Sequence, residues 1–454
     1  MKNAPLEYNA RSVVSLSRRD LLASMALCGT VASRSARAGL SAPQINAARL
    51  RSQIESLSVY GRPKDGAFAD GVSRIGFSDA DIAGRKYVLS LMEGAGLQPR
   101  IDAAGNIFAR RAGQNDTLPP VLFGSHIDSV PSGGNFDGDL GSLSAIETLR
   151  VLRENGITTR RPLQAVVWAC EESTFNGNSL NGSRAVAGKQ RPGELDGVSR
   201  GFTLAESMRR IGGDPSRLED AQLRPGAFHA YLELHIEQGG TLDKEGTNIG
   251  IVEGIVALDH YEATITGMAN HAGTTPMAER QDALIAAAQV TLAVREIVTQ
   301  EPGRQVGTVG HLELEPNASN VVPGRVRLSI DMRDLSSAKL QRLGETLRAR
   351  VSAIAEQTRT QVVLKHTMHA EPALADPDVQ AVIERSAGRL DLSHRRLPSG
   401  AGHDAQIMAT VGPMGMIFVP SIGGISHAPQ ELTHWEDCAR GANVLLQSVL
   451  ALAG

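Results

Sequence analysis

Seven residues of this chain have the types and spacing that metal-assisted hydrolysis needs: His126, Asp128, Asp137, Glu171, Glu172, His235 and His427. The first two lie in Gly124-Ser125-His126-Ile127-Asp128-Ser129-Val130, the third in Asn135-Phe136-Asp137-Gly138, and the two glutamates are adjacent. Zinc takes imidazole nitrogen and carboxylate oxygen at about 2.0–2.2 Å, and a catalytic zinc keeps a position open for water. Two such ions about 3.5–4 Å apart can share a carboxylate and a hydroxide. The ligands divide accordingly: His126 and His235 on one ion, Glu172 and His427 on the other, Asp137 between. Asp128, two residues after His126, is placed to accept from the imidazole and fix its tautomer. Glu171 points away from Glu172 if the segment is extended, which leaves it to act on bound water. A lone Glu-Glu pair is ordinarily a solvated face, but this one follows a buried-type strand, where unpartnered charge is costly. Zinc, manganese and cobalt all suit mixed His/carboxylate ligands. The isolated His229, His260, His311, His366, His369, His394 and His434 read as surface or internally satisfied residues.

The elements that must position these residues alternate strand and helix. Residues 120–125 (PVLFGS) and 163–170 (LQAVVWAC) are short apolar runs that end at His126 and at Glu171-Glu172. Both motifs therefore fall at the C-terminal rim of a sheet, where open α/β folds place their sites. Leu140, Leu143, Ile146, Leu149 and Leu152 recur at helical spacing, and Gly156 ends that helix. In 231–237 (YLELHIE) the leucines and Ile236 share one face, while Tyr231, Glu233, His235 and Glu237 share the other. Residues 258–267, 306–315, 324–333 and 361–369 read as strands, and 278–300 and 337–358 as helices. That βαββαβ order is ferredoxin-like. The fold class expected is α/β, with a mixed-sheet catalytic domain over 39–253 and 366–454 and an inserted domain over 254–365. After the insertion come a helix from about Asp376, a strand over 415–420 and a closing helix from about Thr433.

Length and charge narrow the partners. The 454 residues are enough for two domains, and 41% hydrophobic with 21% charged content is ordinary for a globular chain. Net charge is −3, made of +4 in residues 1–38 and −7 in the remainder. An acidic body without a long basic run argues against nucleic acid. No run of eighteen uncharged apolar residues is present, so no membrane span is expected. Ser17-Arg18-Arg19-Asp20-Leu21-Leu22, an apolar stretch to about Ala32 and Ala36-Arg37-Ala38 resemble a twin-arginine signal peptide. Export to the periplasm is the expectation, with a cytoplasmic protein carrying a basic tail as the alternative. Leu27 before Cys28 is too large for a lipoprotein box. Cys170 and Cys438, the cysteines outside that segment, read as structural.

The motifs resemble the hydantoinase/carbamoylase branch of the aminoacylase and carboxypeptidase-like dinuclear zinc hydrolases. That branch includes N-carbamoyl-L-amino acid hydrolases, allantoate amidohydrolase and β-ureidopropionase. The resemblance spans nearly all of 45–452. It rests on GSHIDSVPSGGNFDGDLG (124–141), LELHIEQG (232–239), GMANHAGTTPMAERQDA (267–283), PNASNVVPG (316–324), DMR (331–333), SGAGHDA (399–405) and SHAPQE (426–431). Histidine at 235, where the peptidase relatives usually carry an acid, favours this branch. The resemblance implies the five metal ligands and the base Glu171 as above, and makes the inserted domain a lid that also forms a homodimer. It implies that His271 reaches the partner subunit's site to hydrogen-bond an oxyanion. It also makes Gln238, Asn320 and Arg333 substrate contacts, Arg333 for a carboxylate, with His403 nearby. The substrate implied is an N-carbamoyl-L-amino acid, allantoate or 3-ureidopropionate. One departure stands out. The family usually reads Glu-Glu-Gly-x-Arg-Phe, and this chain has Glu171-Glu172-Ser173-Thr174-Phe175, one residue shorter and without the arginine. Rival readings are a di-zinc carboxypeptidase or aminoacylase, a catalytically inert metal-bound dimer, and a nucleotide hydrolase. The last lacks a phosphate-binding glycine loop.

Overall fold

The computed structural model of the protein describes residues 42–454, and Gln44–Gly454 form one compact unit. The twin-arginine pattern and its cleavage cue lie outside the described residues.

A mixed sheet forms the centre. Its strands are β1 (Pro99–Ile101), β2 (Ile107–Arg111), β3 (Val121–His126), β4 (Leu163–Trp168), β5 (Ala230–Ile236) and β6 (Ile249–Ile255). Further along the chain β11 (Ala373–Leu374), β12 (His394–Ser399) and β13 (Met414–Val419) join it. The order is β1-β2-β4-β3-β5-β13-β6-β11, with β12 also on β6. β4, β3, β5 and β13 run parallel, so their C-terminal ends share one edge.

Both faces of this sheet are covered. Helices α1 (Ala47–Leu57), α2 (Asp79–Gly94), α3 (Asp139–Glu154), α7 (Pro377–Arg389) and α9 (Trp435–Ala453) pack over one face around Leu140, Leu143, Leu232, Leu234 and Val444. The short α4 (Asn181–Val186) and α8 (Asp404–Met408) meet the other face around Trp168, Tyr231, Phe418 and Met408. This explains why β5 is buried along its whole length. The polar face of 231–237 was expected to stand apart from the core; it forms a second, hydrogen-bonded core layer instead. Glu233 accepts from Ser125 Oγ (2.7 Å), Tyr231 OH (3.1 Å) and Ala405 N (3.0 Å). Three donors satisfy the buried carboxylate, although burial still raises it above the ordinary value.

Between β6 and β11 the chain builds a separate four-stranded antiparallel sheet. It consists of β7 (Ala257–Thr266), β8 (Val306–Glu315), β9 (Arg325–Asp334) and β10 (Gln361–Ala370), in the order β8-β9-β7-β10. Helices α5 (Ala283–Gln300) and α6 (Ser337–Thr358) cover one face around Tyr261, Val290, Ile330 and Leu347. Two boundaries differ from the expectation. Residues 366–370, assigned to the larger domain, continue β10, because that strand pairs with β7 from Gln361 to Ala370. Gly254 and Ile255 belong to β6. The helix expected from 278 starts at 283, where Asp282 accepts from the amides of Leu284 and Ile285 as its cap. By length and composition α5 is apolar enough to cross a bilayer, yet it includes Arg295 and Glu296 and buries Ala286, Val290 and Val294 against the sheet.

Candidate metal centre

The four parallel strand ends bring together residues far apart in sequence. His126 is the last residue of β3, and His235 is the penultimate residue of β5. Glu171 and Glu172 come three and four residues after the end of β4, and His427 follows β13 in the loop to α9. Three imidazole nitrogens converge on Asp137. His126 Nε2 and His235 Nε2 lie 3.5 and 3.1 Å from Oδ1, and His427 Nε2 lies 3.4 Å from Oδ2. His427 Nε2 is also 3.4 Å from Glu172 Oε1. Two ligand groups therefore share Asp137: His126 with His235, and Glu172 with His427. This is the division expected from the residue types.

The imidazole orientations test whether these residues fit ions. His126 Nδ1 lies 3.0 Å from the carbonyl oxygen of Asp128, and His235 Nδ1 lies 2.9 Å from that of Ile236. A carbonyl only accepts, so each Nδ1 carries a proton, and in the neutral ring each Nε2 turns its lone pair toward Asp137. Lone pairs facing a carboxylate repel unless positive charge lies between them. His235 Nε2 and Glu172 Oε1 are buried without a hydrogen-bond partner; the 3.1 Å approach of His235 to Asp137 is not aligned for one. Buried polar groups are normally paired. The donor set fits cations.

Where no ion lies between the rings and Asp137, a second proton on the imidazole meets the carboxylate instead. Burial alone would raise the Asp137 carboxyl, but His235, His126 and His427 outweigh it and hold it well below the ordinary carboxylate range. Burial alone would lower His126, but Glu171, Asp137 and Asp128 push it well above the ordinary imidazole value. His427 is pushed up to about 9, mainly by its contact with Asp137. Glu172 is raised to about 7 by burial and then by Asp137. Burial raises Glu171 well above the ordinary carboxyl value, with His126 opposing and Glu172, Asp404 and Asp128 adding to it. Glu171 Oε2 stands 3.9 Å from His126 Nε2, next to the ligands without joining either group.

Asp128 corrects an expectation. Its carboxylate is 3.8 Å from His126 Nδ1, too far to accept from it. The tautomer of His126 is fixed by the main-chain carbonyl of Asp128. The carboxylate accepts instead from the amides of Glu171 (3.0 Å) and Glu172 (3.2 Å). It therefore ties the β4 end to the β3 end. Cys170, expected within the strand, lies beyond it with φ 51°, and this left-handed turn aims the two glutamates. Gly138 is required where it stands: a Cβ there would come within 2.4 Å of the His126 ring, and its φ is +68°.

Glu431, the last residue of the 426–431 motif, takes a role that the sequence does not reveal. Its Oε1 accepts from the amides of Phe136 (3.0 Å) and Asp137 (3.1 Å), and its Oε2 from Ser426 Oγ (2.7 Å). Ser426 Oγ is also 3.2 Å from Asp137 Oδ2. Buried Glu431 thus joins the loop that carries Asp137 to the loop that carries His427.

The remaining expected residues fall in two groups. Gln238 and His403 line a cavity of about 220 Å³ with Asp137, Glu171, Glu172, His235 and His427. Gln238 Nε2 donates to Asp137 Oδ2 at 2.7 Å. His403 packs on His235 with ring centroids 4.4 Å apart, and burial holds it well below the usual imidazole value. Ser173, Ser179, Leu180 and Gln406 also line the cavity. The short segment after Glu172 turns at once, with Thr174 N on Glu172 O at 2.6 Å, and Arg200 from a distant loop donates to Thr174 O. Arg333 lies instead in an adjoining cavity of about 470 Å³ that also contains Gln238 and Ala401. Its guanidinium is engaged by Asp331 (2.8 and 3.1 Å) and by Gly400 O (2.7 Å). His271 and Asn320 are exposed on the small sheet's loops and line neither cavity. His271 Nδ1 accepts from the amides of Gly273 and Thr274, which leaves the proton on Nε2.

The pattern of peptidase family M20/M25/M40 matches residues 122–451. The chain belongs to this family. The family is metal-dependent, in keeping with the two ligand groups. Among curated relatives, the chain is 39% identical to an N-carbamoyl-L-amino acid amidohydrolase of Geobacillus stearothermophilus, over 90% of this chain and 99% of that protein. It is 37% identical to a ureidoglycolate hydrolase of Arabidopsis thaliana, over 90% of this chain and 87% of that one. It is also similar to the crystal structure of a hydantoinase/carbamoylase-family amidase from Burkholderia multivorans. That match has a TM-score of 0.85 at 36% identity and covers 90% of this chain and 98% of that one.

Proposed function

We propose that the chain is a metal-dependent amidohydrolase that cleaves a non-peptide C–N bond of a ureido or carbamoyl carboxylate, an N-carbamoyl-L-amino acid first among them. The observation that carries this reading is the convergence of three imidazole nitrogens on the two oxygens of Asp137 beside buried Glu171. Two divalent ions, zinc before manganese or cobalt, would be held by His126, His235, Asp137, Glu172 and His427. Bound there, they would acidify water and polarise the scissile carbonyl.

The chain's own groups do the rest. Glu171 takes the proton of the attacking water and returns it to the departing nitrogen; its raised carboxyl suits both tasks. Asp128 holds Glu171 and Glu172 in place through their amides. Gln238 and His403 wall the cavity, and Gln238 steadies the free side of Asp137. Arg333 receives the carboxylate end of the substrate, which competes with Asp331 for its fork, while Asn320, tied to the His271 segment by the Ala272 amide, contacts the substrate of a second copy. Residues 257–370 act as a lid and carry the dimer contact. Leu284, Ile285 and Leu292 on α5 and Val306 and Leu312 on β8 are exposed apolar side chains available to a second copy. His271 of that copy, with its Nε2 proton free, donates to the oxyanion.

The deciding experiment is ammonia release from metal-loaded protein. The panel covers N-carbamoyl-L- and D-amino acids, 3-ureidopropionate, allantoate and ureidoglycolate. Relatives bearing three of these activities lie at 34–39% identity, so turnover assigns the member. Release from none of them, with hydrolysis of N-acyl amino acids or dipeptides, would overturn the reading.

A further inference from the structure

The small sheet brings together a second set of metal-binding side chains, none of them in either cavity described above. Asp259 on β7 is 3% exposed. On β10, His366 Nε2 and His369 Nδ1 each lie 2.8 Å from one and the same oxygen, Asp259 Oδ1. From the sequence both histidines read as surface residues, and three positions apart on a regular strand they would face opposite ways. They face the same way because β10 shifts register between His366 and Met368. His366 therefore stands opposite Tyr261, and His369 opposite Asp259. An extra strand residue re-aims its neighbours in just this manner.

Two further contacts fix the rings. His366 stacks on Tyr261 with centroids 4.6 Å apart. His369 presents Nδ1 to Asp259 while its Nε2 lies 3.0 Å from Glu371 Oε1, and Ser337 Oγ holds the other Glu371 oxygen. An imidazole with one nitrogen toward a ligand position and the other on a carboxylate is the arrangement that orients histidines on metals.

We propose that Asp259, His366 and His369 form a site for one zinc-class divalent ion, separate from the catalytic pair, with Glu371 as the positioning residue for His369. The three ligand atoms lie within 4.8 Å of one another. Bonds of about 2.0–2.2 Å set tetrahedral ligand atoms about 3.3 Å apart, so the 2.8 Å contacts need open by only about half an ångström. Two nitrogens and one carboxylate oxygen select zinc, nickel or cobalt over magnesium or calcium. Both rings keep about a third of their surface, 34% and 36%, which leaves room for water to complete the shell.

The location gives the ion a task. β7 starts two residues after β6 ends, and β10 ends three residues before β11 begins. The cluster therefore lies beside both crossings between the two sheets, and an ion there fastens the two crossing strands, β7 and β10, to each other. The site stands whether or not the catalytic centre cleaves ureido bonds.

The test is metal counting on the full chain. Protein stripped by a chelator and titrated with zinc is expected to hold three ions per chain. A His366→Gln/His369→Gln double variant is expected to hold two. Glu371→Gln should keep three but weaken the third by about tenfold, the size usual for such orienting partners. In wild type, amide exchange over 366–370 should slow when the third ion enters, and in the double variant it should not. Equal stoichiometry in wild type and the double variant overturns the proposal. So does a third ion that neither substitution disturbs.

Discussion

The two oxygens of Asp137 face different partners. Oδ1 meets His126 and His235, while Oδ2 meets His427, Gln238 and Ser426. A carboxylate divided in this way suits one ion on each oxygen. Glu171 has no such contact with Asp137, and its separation from the ligand set predicts a clean split between binding and turnover. Glu171→Gln should retain its metal content by elemental analysis and lose about two to four orders of magnitude in kcat, the range of a positioned acid–base group. Near-normal turnover would remove it from the base role. The division of the adjacent glutamates was expected from an extended segment after an apolar strand; the chain turns at Cys170 instead, and both glutamates line the same cavity. The role of Asp128 was not legible in the sequence. Its proximity to His126 suggested a bond to the ring, and only folding shows that the amides of residues 43 and 44 positions later claim its carboxylate. The engagement of Arg333 by Asp331 had a sequence signal that went unused: two residues apart on one strand face, opposite charges meet.

At the scale of elements, the strand ends position the histidines, and the loops after them need separate restraint. Gln238 (φ 57°) and His427 (φ 54°) both sit in the left-handed region without being glycine, a conformation that persists only when neighbours hold it. Glu431 supplies that hold for the His427 loop. Glu431→Ala should weaken metal affinity by about 10–100-fold in chelator competition, with the ion on Glu172 and His427 leaving first. Glu431→Gln, which keeps an acceptor for the two amides, should recover part of the loss. Unchanged affinity in the alanine variant would reduce Glu431 to packing. The elements themselves were readable wherever apolar periodicity was long, as in 306–315 and 337–358. The last strand of the small sheet was readable as well, over 361–369, and only the domain limit set at 365 cut across it.

Across the whole molecule, charge balance predicts how the protein behaves without its ions. His126 and His427 are raised above the ordinary imidazole value of 6.5, His427 to about 9. A raised histidine stabilises the fold fully below pH 6.5, and that contribution disappears as pH rises through the folded value. Chelator-stripped protein should therefore lose thermal stability between pH 6.5 and about 9, and metal-loaded protein should lose less, because the ions replace the departing protons. Parallel melting curves check this, and equal slopes with and without metal would count against it. A shared site makes a different prediction. Mixing a His271→Ala protein with a Glu171→Gln protein should restore part of the activity that each lacks alone. No recovery after subunit exchange would place His271 outside the partner's chemistry.

The bond from Glu431 to the amides of Phe136 and Asp137 joins positions 294 and 295 residues apart. A chain emerging from the ribosome has His126, Asp137, Glu172 and His235 long before it has His427 and Glu431. The nascent protein can assemble one half of the centre early, but the second half must wait until almost the last helix is made. Completion of the second ligand group thus waits for nearly the whole chain, and any polypeptide cut short before residue 427 lacks both His427 and the Glu431 clamp.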